Sequence, residues 1–221
     1  MRNTVILFTT IKGGTGKTTI CASTATFLVE QGIPTIVLDA DVQQSLSRHR
    51  KRDLAAHPDE EIPWQVEFLN TTDIDKVQVT MRKIKDFPCC VLIDCPGNVQ
   101  DKALQVIFES ADIAVIPYEL NSDSVDATVL FAELFRKNFE AKMYFIPNKV
   151  SCVYEKRGEV RKAREDALKA LNHKLGTVTP DIRLTTLLNG YSTLDTYNYK
   201  KRTVIREALA PIIRFIQQKS K

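Results

Sequence analysis

Residues 10–19, TIKGGTGKTT, combine glycines, lysines and hydroxyl side chains at the spacing of a phosphate-binding loop. The glycines allow backbone N–H groups to approach an anion without a Cβ in the way. A helix that begins near Lys17 would direct its positive end at the same anion. A glycine-rich turn without a ligand is the alternative, which the order Gly-Gly-Thr-Gly-Lys-Thr-Thr after a buried strand disfavours. The segment, called the phosphate loop below, therefore predicts a nucleotide site.

The phosphate loop departs from the usual pattern G-x-x-x-x-G-K-[ST]. Counted back from Gly16, the place of the first glycine holds Ile11, and a second lysine, Lys12, stands next to it. In the usual pattern, the lysine at Lys17 reaches the β- and γ-phosphates and the hydroxyl at Thr18 binds Mg²⁺. The residues predicted to bind ATP here are Gly13, Gly14, Thr15, Gly16, Lys17, Thr18 and Thr19, with Thr19 at the α-phosphate.

Carboxylates follow two other apolar runs. Asp94 ends the first of them, in CVLIDCPG at residues 90–97, where it is placed to hold Mg²⁺ directly or through water. Asp39 and Asp41 end the second run, and strand alternation sends both side chains to the same side. Near a magnesium nucleotide, one carboxylate can support the water shell of the metal while the other orients the attacking water. The alternative for either aspartate is a plain helix N-cap.

The motifs K-G-G-x-G-K-T-[ST] at 12–19, D-x-D-x-Q at 39–43 and D-x-P-G at 94–97 together resemble the deviant Walker ATPases of the ParA/MinD type. The resemblance covers essentially the whole chain, with the motifs in the family's order. It implies that Lys12 crosses to the phosphates of the partner subunit in an ATP-bound homodimer. Such a lysine acts like an arginine finger, because it supplies charge where the transition state develops it.

The same resemblance implies further roles. Asp41 becomes the carboxylate that orients water, and Asp39 lies on the magnesium side of the site. Pro147, Asn148 and Lys149 resemble the family's base-contacting segment, with Asn148 bonded to adenine; a plain turn after a strand is the alternative. The predicted catalytic residues are thus Lys12, Lys17 and Asp41, and the predicted magnesium ligands are Thr18, Asp39 and Asp94.

Short apolar runs alternate with helical patterns along the chain, which predicts an α/β fold. We expect one P-loop NTPase domain over residues 1–221, with a doubly wound, mostly parallel sheet flanked by helices. Strands are predicted at 5–9, 35–38, 66–69, 90–93, 113–116, 143–146 and 182–184, and helices at 17–31, 45–56, 74–86, 99–110, 122–138, 155–175 and 200–218. The chemistry-bearing motifs all follow strands, where ligands bind in such sheets.

Composition bounds the class of protein. The chain has 221 residues, of which 43% are hydrophobic and 26% charged, as in a folded globular protein. Five cysteines without a C-x-x-C spacing predict reduced thiols in a cytoplasmic protein. An iron–sulfur reductase of the same family would need subunit-bridging cysteines. Cys95 lies beside Asp94, but no second cysteine occupies an equivalent loop, which disfavours this alternative.

Positive charge is concentrated in two segments. Residues 199–221 contain seven lysines and arginines against one glutamate, and RHRKR follows the second motif at 48–52. Such clusters favour nonspecific binding to the DNA backbone, and pairing of two subunits would double them. A solvated helix face is the alternative. The residues predicted to contact DNA are Lys200, Lys201, Arg202, Arg206 and Arg214.

The last predicted helix has an apolar face from Val204 to Ile216. Such a helix could lie on a membrane, as the tail of the MinD branch does. Because its apolar residues are spread along the whole helix, we expect it to pack on the sheet and do not expect membrane binding.

These patterns together resemble a short partition ATPase. The resemblance implies a nucleoid-associated ParA-type protein that dimerises on ATP and segregates a plasmid or chromosome. A ParB-like, centromere-binding adaptor would stimulate its slow hydrolysis. The alternatives left open are a MinD-like protein, or another cargo-positioning or conjugation ATPase that acts on a membrane or a protein scaffold.

Overall fold

The computed structural model describes residues 3–97, 101–151, 158–188, 190–194 and 199–219, without the side chains of 199–201. The strands are β1 (Thr4–Phe8), β2 (Thr35–Asp39), β3 (Gln65–Phe68), β4 (Cys90–Asp94), β5 (Ile113–Tyr118), β6 (Lys142–Pro147) and β7 (Thr177–Val178). The helices are α1 (Lys17–Glu30), α2 (Ser45–Ala56), α3 (Ile74–Ile84), α4 (Lys102–Glu109), α5 (Ser122–Asn138), α6 (Gly158–Leu171) and α7 (Tyr199–Lys219).

The strands form one seven-stranded sheet in the order β3-β2-β4-β1-β5-β6-β7. Every pairing between neighbouring strands is parallel. From β1 the chain first builds the sheet toward β3 and later toward β7, so the direction of winding reverses beside β1. This reversal places the loop after β1 at the point where doubly wound sheets bind ligands. The predicted fold, a doubly wound parallel sheet flanked by helices, is confirmed.

Helices cover both faces of the sheet because the side chains of each buried strand alternate between two apolar layers. In β1, Val5 and Leu7 pack with α3, α4, α5 and α6, whereas Ile6 and Phe8 pack with α1, α2 and α7. Five of the apolar residues of α7 are buried in the second layer: Ile205, Ala208, Leu209, Ile212 and Ile216. The prediction that this helix packs on the sheet is therefore confirmed, and the helix runs unbroken through Pro211.

Several predicted boundaries differ from the structure. The seventh strand lies at Thr177–Val178, not at 182–184, because the later segment passes the end of β6 instead of pairing along it. There Ile182 donates to the Pro147 carbonyl oxygen at 2.8 Å, and Arg183 forms only an isolated bridge with Val150. Helix α4 begins at Lys102, where the Asp101 side chain caps it; residues 99–100 of the predicted helix lie outside the described residues, as do 155–157 before α6.

Candidate functional site

Asp39 and Asp94 are neighbours at the carboxyl edge of the sheet. They are the last residues of β2 and β4, and the parallel register pairs them directly. Paired residues of parallel strands share a face, and Val37 and Leu92, two positions earlier, both pack in the layer of α1. The two carboxylates therefore face the helix that begins at the phosphate loop.

The carboxylate of Asp94 is buried, and its residue is 1% exposed. Neither oxygen meets the distance and angles of a hydrogen bond within the described part of the chain, although the Thr18 hydroxyl is close enough to lower the pKa of the acid. Burial raises the pKa of Asp94 to about 7, and the negative charges of Asp39 and Asp41 act in the same direction. The Thr18 hydroxyl and the Lys17 ammonium group oppose this increase of the pKa. A buried acid with two open oxygens beside a threonine hydroxyl fits a ligand, or a water-mediated partner, of a divalent cation.

Asp39 is fully buried but satisfied by backbone groups. Its Oδ2 accepts a hydrogen bond from the Ser47 N–H at 2.8 Å, and its Oδ1 accepts one from the Asp41 N–H at 3.3 Å. Asp41 is half-buried, and its Oδ1 accepts a bond from the Gln43 N–H at 2.9 Å. Asp39 therefore caps the first turn of α2 through the Ser47 N–H, as the capping alternative predicts. It also lies directly beside Asp94 in the sheet.

The phosphate loop takes a left-handed backbone at two of its glycines. Gly14 has φ 78° and Gly16 has φ 94°, a region that side chains with a Cβ rarely adopt. At Gly16, a Cβ would collide with Nδ2 of Asn148. This position therefore requires glycine twice over, once for its backbone and once because Asn148 packs against it.

The two lysines of the loop differ in position. Lys17 is the first residue of α1, and its ammonium group lies close to Gly97 of the D-x-P-G segment. If Gly97 carried a Cβ, that atom would be 4.0 Å from Nζ of Lys17. Lys12 is half-buried, its backbone N–H donates to the Thr10 hydroxyl at 3.3 Å, and its ammonium group has no ion pair among the described residues. The extra lysine therefore carries a charge that the rest of the described chain leaves unneutralised.

Asn148 and Lys149 join the end of β6 to the phosphate loop. The amide nitrogen of Asn148 donates to the Thr15 carbonyl oxygen at 2.7 Å, and Asn148 itself is buried. Nζ of Lys149 donates to the Gly14 carbonyl oxygen at 2.5 Å and forms an ion pair with Glu119 at 3.0 Å. The predicted adenine contact of Asn148 stays a prediction. The sequence predicts Lys149 only as part of the base-contacting segment; its contact with the phosphate loop and the role of Glu119 carry no local sequence signal.

The site suits magnesium better than a metal held entirely by side chains. Within the described residues, no three His, Cys, Asp or Glu side chains are grouped to hold a metal ion. Magnesium usually keeps several waters and uses one or two carboxylates together with phosphate oxygens. Asp94, Asp39 and the Thr18 hydroxyl fit that ligand set, and Mg²⁺ would there neutralise phosphate charge.

One member of the basic cluster at 48–52 is structural. Arg50 is 6% exposed; its guanidinium lies over the Trp64 ring and donates to the Trp64 carbonyl oxygen at 2.7 Å. It also donates to the side chain and to the backbone of Thr193, at 2.8 and 3.0 Å. The interpretation of this cluster as a uniformly exposed basic patch is therefore wrong at Arg50, because α2 turns that position toward Thr193. Arg48, Lys51 and Arg52 are exposed.

The basic residues of α7 also differ among themselves. Arg202 pairs with Glu30 of α1 at 3.0 Å, and Lys219 pairs with Asp112 at 2.6 Å. Arg206 and Arg214 are exposed on the helix. The side chains of Lys200 and Lys201 lie outside the described residues.

The described cysteines are buried free thiols, namely Cys21, Cys89, Cys90 and Cys95. Burial raises the pKa of the Cys95 thiol far above its ordinary value, and the nearby Asp94 charge raises it further. A buried, protonated thiol is a poor ligand for a shared cluster. In the described residues, no helix is both long and apolar enough to cross a membrane.

Solved structures with the same fold include partition and cell-division proteins. MinD from Pyrococcus horikoshii, complexed with Mg-ADP, is 18% identical with a TM-score of 0.74, over 99% of both chains. A plasmid partition protein from Borrelia burgdorferi, bound to AMPPNP, is 16% identical with a TM-score of 0.72, over 97% of this chain and 99% of that one. A chain of the MinC:MinD cell division protein complex from Aquifex aeolicus is 21% identical with a TM-score of 0.69, over 95% of this chain and 96% of that one.

At these identities the likeness to solved structures is one of fold. No curated protein matches the chain by sequence. The sequence profile of one family matches residues 6–188 of the chain. This range contains the phosphate loop, Asn148 and the three site aspartates, Asp39, Asp41 and Asp94. The chain therefore belongs to the CobQ/CobB/MinD/ParA nucleotide-binding domain family.

Proposed function

We propose that the protein is a ParA-type ATPase that dimerises on ATP, binds DNA without sequence preference and segregates a DNA cargo. The observation that carries this proposal is the joint position of Lys12, Lys17 and the Asp39–Asp94 pair at one edge of the sheet. Lys17 and Asp94 serve the bound nucleotide and its Mg²⁺, whereas the charge of Lys12 lacks an ion-pair partner among the described residues. A triphosphate presented by a second subunit would supply that partner.

In this proposal the hydrolytic step uses groups of both subunits. Asp41, which is half-buried beside the magnesium side of the site, orients the attacking water. The oxygen of that water attacks the γ-phosphorus of the bound ATP as the bond from this phosphorus to the bridging oxygen of ADP breaks; ADP leaves, and the proton of the water passes to the released phosphate. Lys17 of the same chain and Lys12 of the partner stabilise the developing negative charge. Mg²⁺ neutralises phosphate oxygens when it is bound. A DNA-bound adaptor then stimulates slow turnover and returns the dimer to monomers.

Charge on the α1 face of the sheet supports DNA binding. Helices α2 and α7 lie in the same layer, and both contribute exposed basic residues. Arg48, Lys51 and Arg52 come from α2, and Arg206 and Arg214 come from α7. Nonspecific DNA binding needs only such a surface, because the phosphate backbone supplies the attraction.

DNA retention tests the proposal most directly. Random duplex DNA is titrated with protein, with ATP and Mg²⁺, with ADP and Mg²⁺, and with no nucleotide, at several salt concentrations. We expect retention only with ATP, with an affinity that falls steeply as salt rises. Retention that ignores the nucleotide would contradict the proposal.

A MinD-like protein is the second candidate, and the same preparation tests it on anionic liposomes. The burial of the apolar face of α7 argues against it, because a membrane-bound helix would have to expose that face. ATP-dependent retention by liposomes, without retention by DNA, would establish this second candidate instead.

A further inference from the structure

Lys149 follows β6 directly, and its side chain turns back toward the phosphate loop. Its backbone is left-handed, with φ 55°, a conformation that non-glycine residues adopt mostly where the surroundings hold them. The ammonium group lies 2.5 Å from the Gly14 carbonyl oxygen and 3.0 Å from Oε1 of Glu119, the residue after β5. Glu119 thus anchors the lysine while the lysine holds the loop.

Asn148 makes a similar contact with the next carbonyl group of the phosphate loop. Its Nδ2 donates to the Thr15 carbonyl oxygen at 2.7 Å. Consecutive residues after β6 therefore bind the carbonyl groups of consecutive residues in the loop. The two contacts lie on the same side of the loop backbone, since both donors come from the end of β6.

The planarity of the peptide bond gives these contacts a consequence for the anion. In a trans peptide, the C=O of one residue and the N–H of the next point in opposite directions. When the Gly14 and Thr15 carbonyl groups are held toward β6, the N–H groups of Thr15 and Gly16 are turned away from it. Successive N–H groups on one side of a loop form an anion-binding concavity.

The glycines of the loop make this restraint necessary. Gly14 and Gly16 have no Cβ to limit rotation of the peptide planes beside them, so those planes can flip at little cost. A flipped plane would present a carbonyl oxygen to the phosphate in place of an N–H. Contacts from outside the loop, such as those of Asn148 and Lys149, can hold these planes in place before the nucleotide arrives.

We propose that Lys149, anchored by Glu119, is a positioning residue that orients the Gly14–Thr15 peptide so that its N–H faces the nucleotide phosphates. This inference rests on the proposed function only in taking the ligand to be a nucleotide. The lysine acts through the loop and does not itself contact the reacting atoms. The proposal extends to Glu119, whose carboxylate keeps the ammonium group over the Gly14 carbonyl oxygen.

The test uses Lys149→Met, which removes the ammonium group at similar length, and Glu119→Gln, which removes the negative charge of its anchor. Lys76→Met is the matched control, because Lys76 forms an exposed ion pair with Asp73 at 3.3 Å on α3, a helix that takes no part in the site. Amide NMR shifts and hydrogen exchange of residues 14–16 are recorded without nucleotide. Dissociation constants for ADP and AMP are measured with Mg²⁺.

We expect Lys149→Met to shift the Thr15 amide signal, to speed its exchange and to weaken ADP binding by about tenfold. Glu119→Gln should change the same signals less, and Lys76→Met should change none. AMP affinity should fall much less than ADP affinity, because the oriented N–H serves the outer phosphates. If Lys149→Met does not fold, Glu119→Gln decides the question by the same readouts.

Unchanged Thr15 signals together with unchanged ADP affinity would overturn the inference. An equal loss for AMP and ADP would also overturn it, because the segment would then act on the base and not on the loop. A wild-type chain that bound no nucleotide would refute the proposed function instead. In that case the amide signals of the nucleotide-free variants would still test the contact between Lys149 and Gly14.

Discussion

The Asp39 carboxylate accepts a hydrogen bond from the backbone N–H of Ser47, with 2.8 Å between Oδ2 and N. Helix α2 begins at Ser45 after Gln44, whose side chain makes no capping bond, so this buried acid serves as the cap. Asp39 is also paired in register with Asp94, which we propose as a magnesium ligand. A cation that drew on the Asp39 carboxylate would compete with the start of α2, the helix that carries Arg48, Lys51 and Arg52.

Replacement of Asp39 by alanine should loosen the start of α2. We expect faster amide exchange at Ser47 and a loss of about 1–2 kcal/mol in the free energy of unfolding, because an N–H loses its acceptor. Nucleotide binding should also lose part of its dependence on Mg²⁺. Asp73→Ala is the control, since Asp73 caps α3 by accepting the Lys76 N–H at 3.1 Å, remote from the site. Normal exchange at Ser47 in the Asp39 variant would contradict the capping role.

Replacement of Asp94 by asparagine should remove a pH dependence of stability. The pKa of Asp94 in the folded protein is about 7, raised by burial above its ordinary value of 3.8. The folded chain therefore binds the proton more tightly than the unfolded chain does. This contribution to stability is fully present below about pH 4 and is lost as the pH rises through about 7.

The asparagine side chain of the Asp94→Asn variant stays neutral at every pH, so the variant should not lose stability in that window. In nucleotide-free protein at pH 8, Asp94→Asn should be more stable than wild type by about 2–4 kcal/mol, whereas the two should be similar at pH 4. Urea unfolding at pH 4, 6 and 8 without magnesium measures this difference. Parallel stability curves for the two proteins would show that Asp94 is already ionised near pH 4.

Arg50→Ala should destabilise the fold, whereas Arg52→Ala should not. Loss of the Arg50 guanidinium leaves the Trp64 carbonyl group and Thr193 without their donor, and we expect about 2–4 kcal/mol less free energy of unfolding. Arg52 is exposed, and its removal should change stability by less than about 0.5 kcal/mol. Its effect should appear instead as a smaller salt dependence of DNA binding. Equal effects of both variants on stability would contradict this division.

Lys12→Ala should separate nucleotide binding from pairing. Lys17 and the backbone of the loop remain, so ATP should still bind, whereas ATP-dependent dimerisation should be lost. Hydrolysis should fall by about a hundredfold, as when one stabilising donor leaves a transition state. Lys17→Ala is the contrasting variant, which should lose nucleotide binding itself. Sedimentation with ATP and a phosphate-release assay give the two measurements, and unchanged turnover in Lys12→Ala would refute the role in trans.

Much of the fold and the order of the site segments could be predicted from the sequence. Buried strands appear as short apolar runs and helices as longer periodic patterns, because each side chain responds to the face on which its own element places it. The prediction that Asp39 and Asp94 each follow a buried strand at the site rests on two such runs that end in aspartate, whereas their direct pairing is known only from the sheet. The predicted position of the seventh strand is wrong because 177–178 and 182–184 are both short, and only pairing with β6 distinguishes them.

The sequence by itself determined the phosphate loop, its second lysine and the carboxylates at the strand ends, since these depend on residue types at fixed local spacing. Only the tertiary structure decided that Arg50 is buried, that Asp39 caps α2 and that Lys149 holds the loop. Each of these depends on a partner chosen by the packing of distant segments: Thr193 lies 143 residues from Arg50, and Gly14 lies 135 residues from Lys149. Local spacing carries no information about such partners, because the folded sheet alone brings them together.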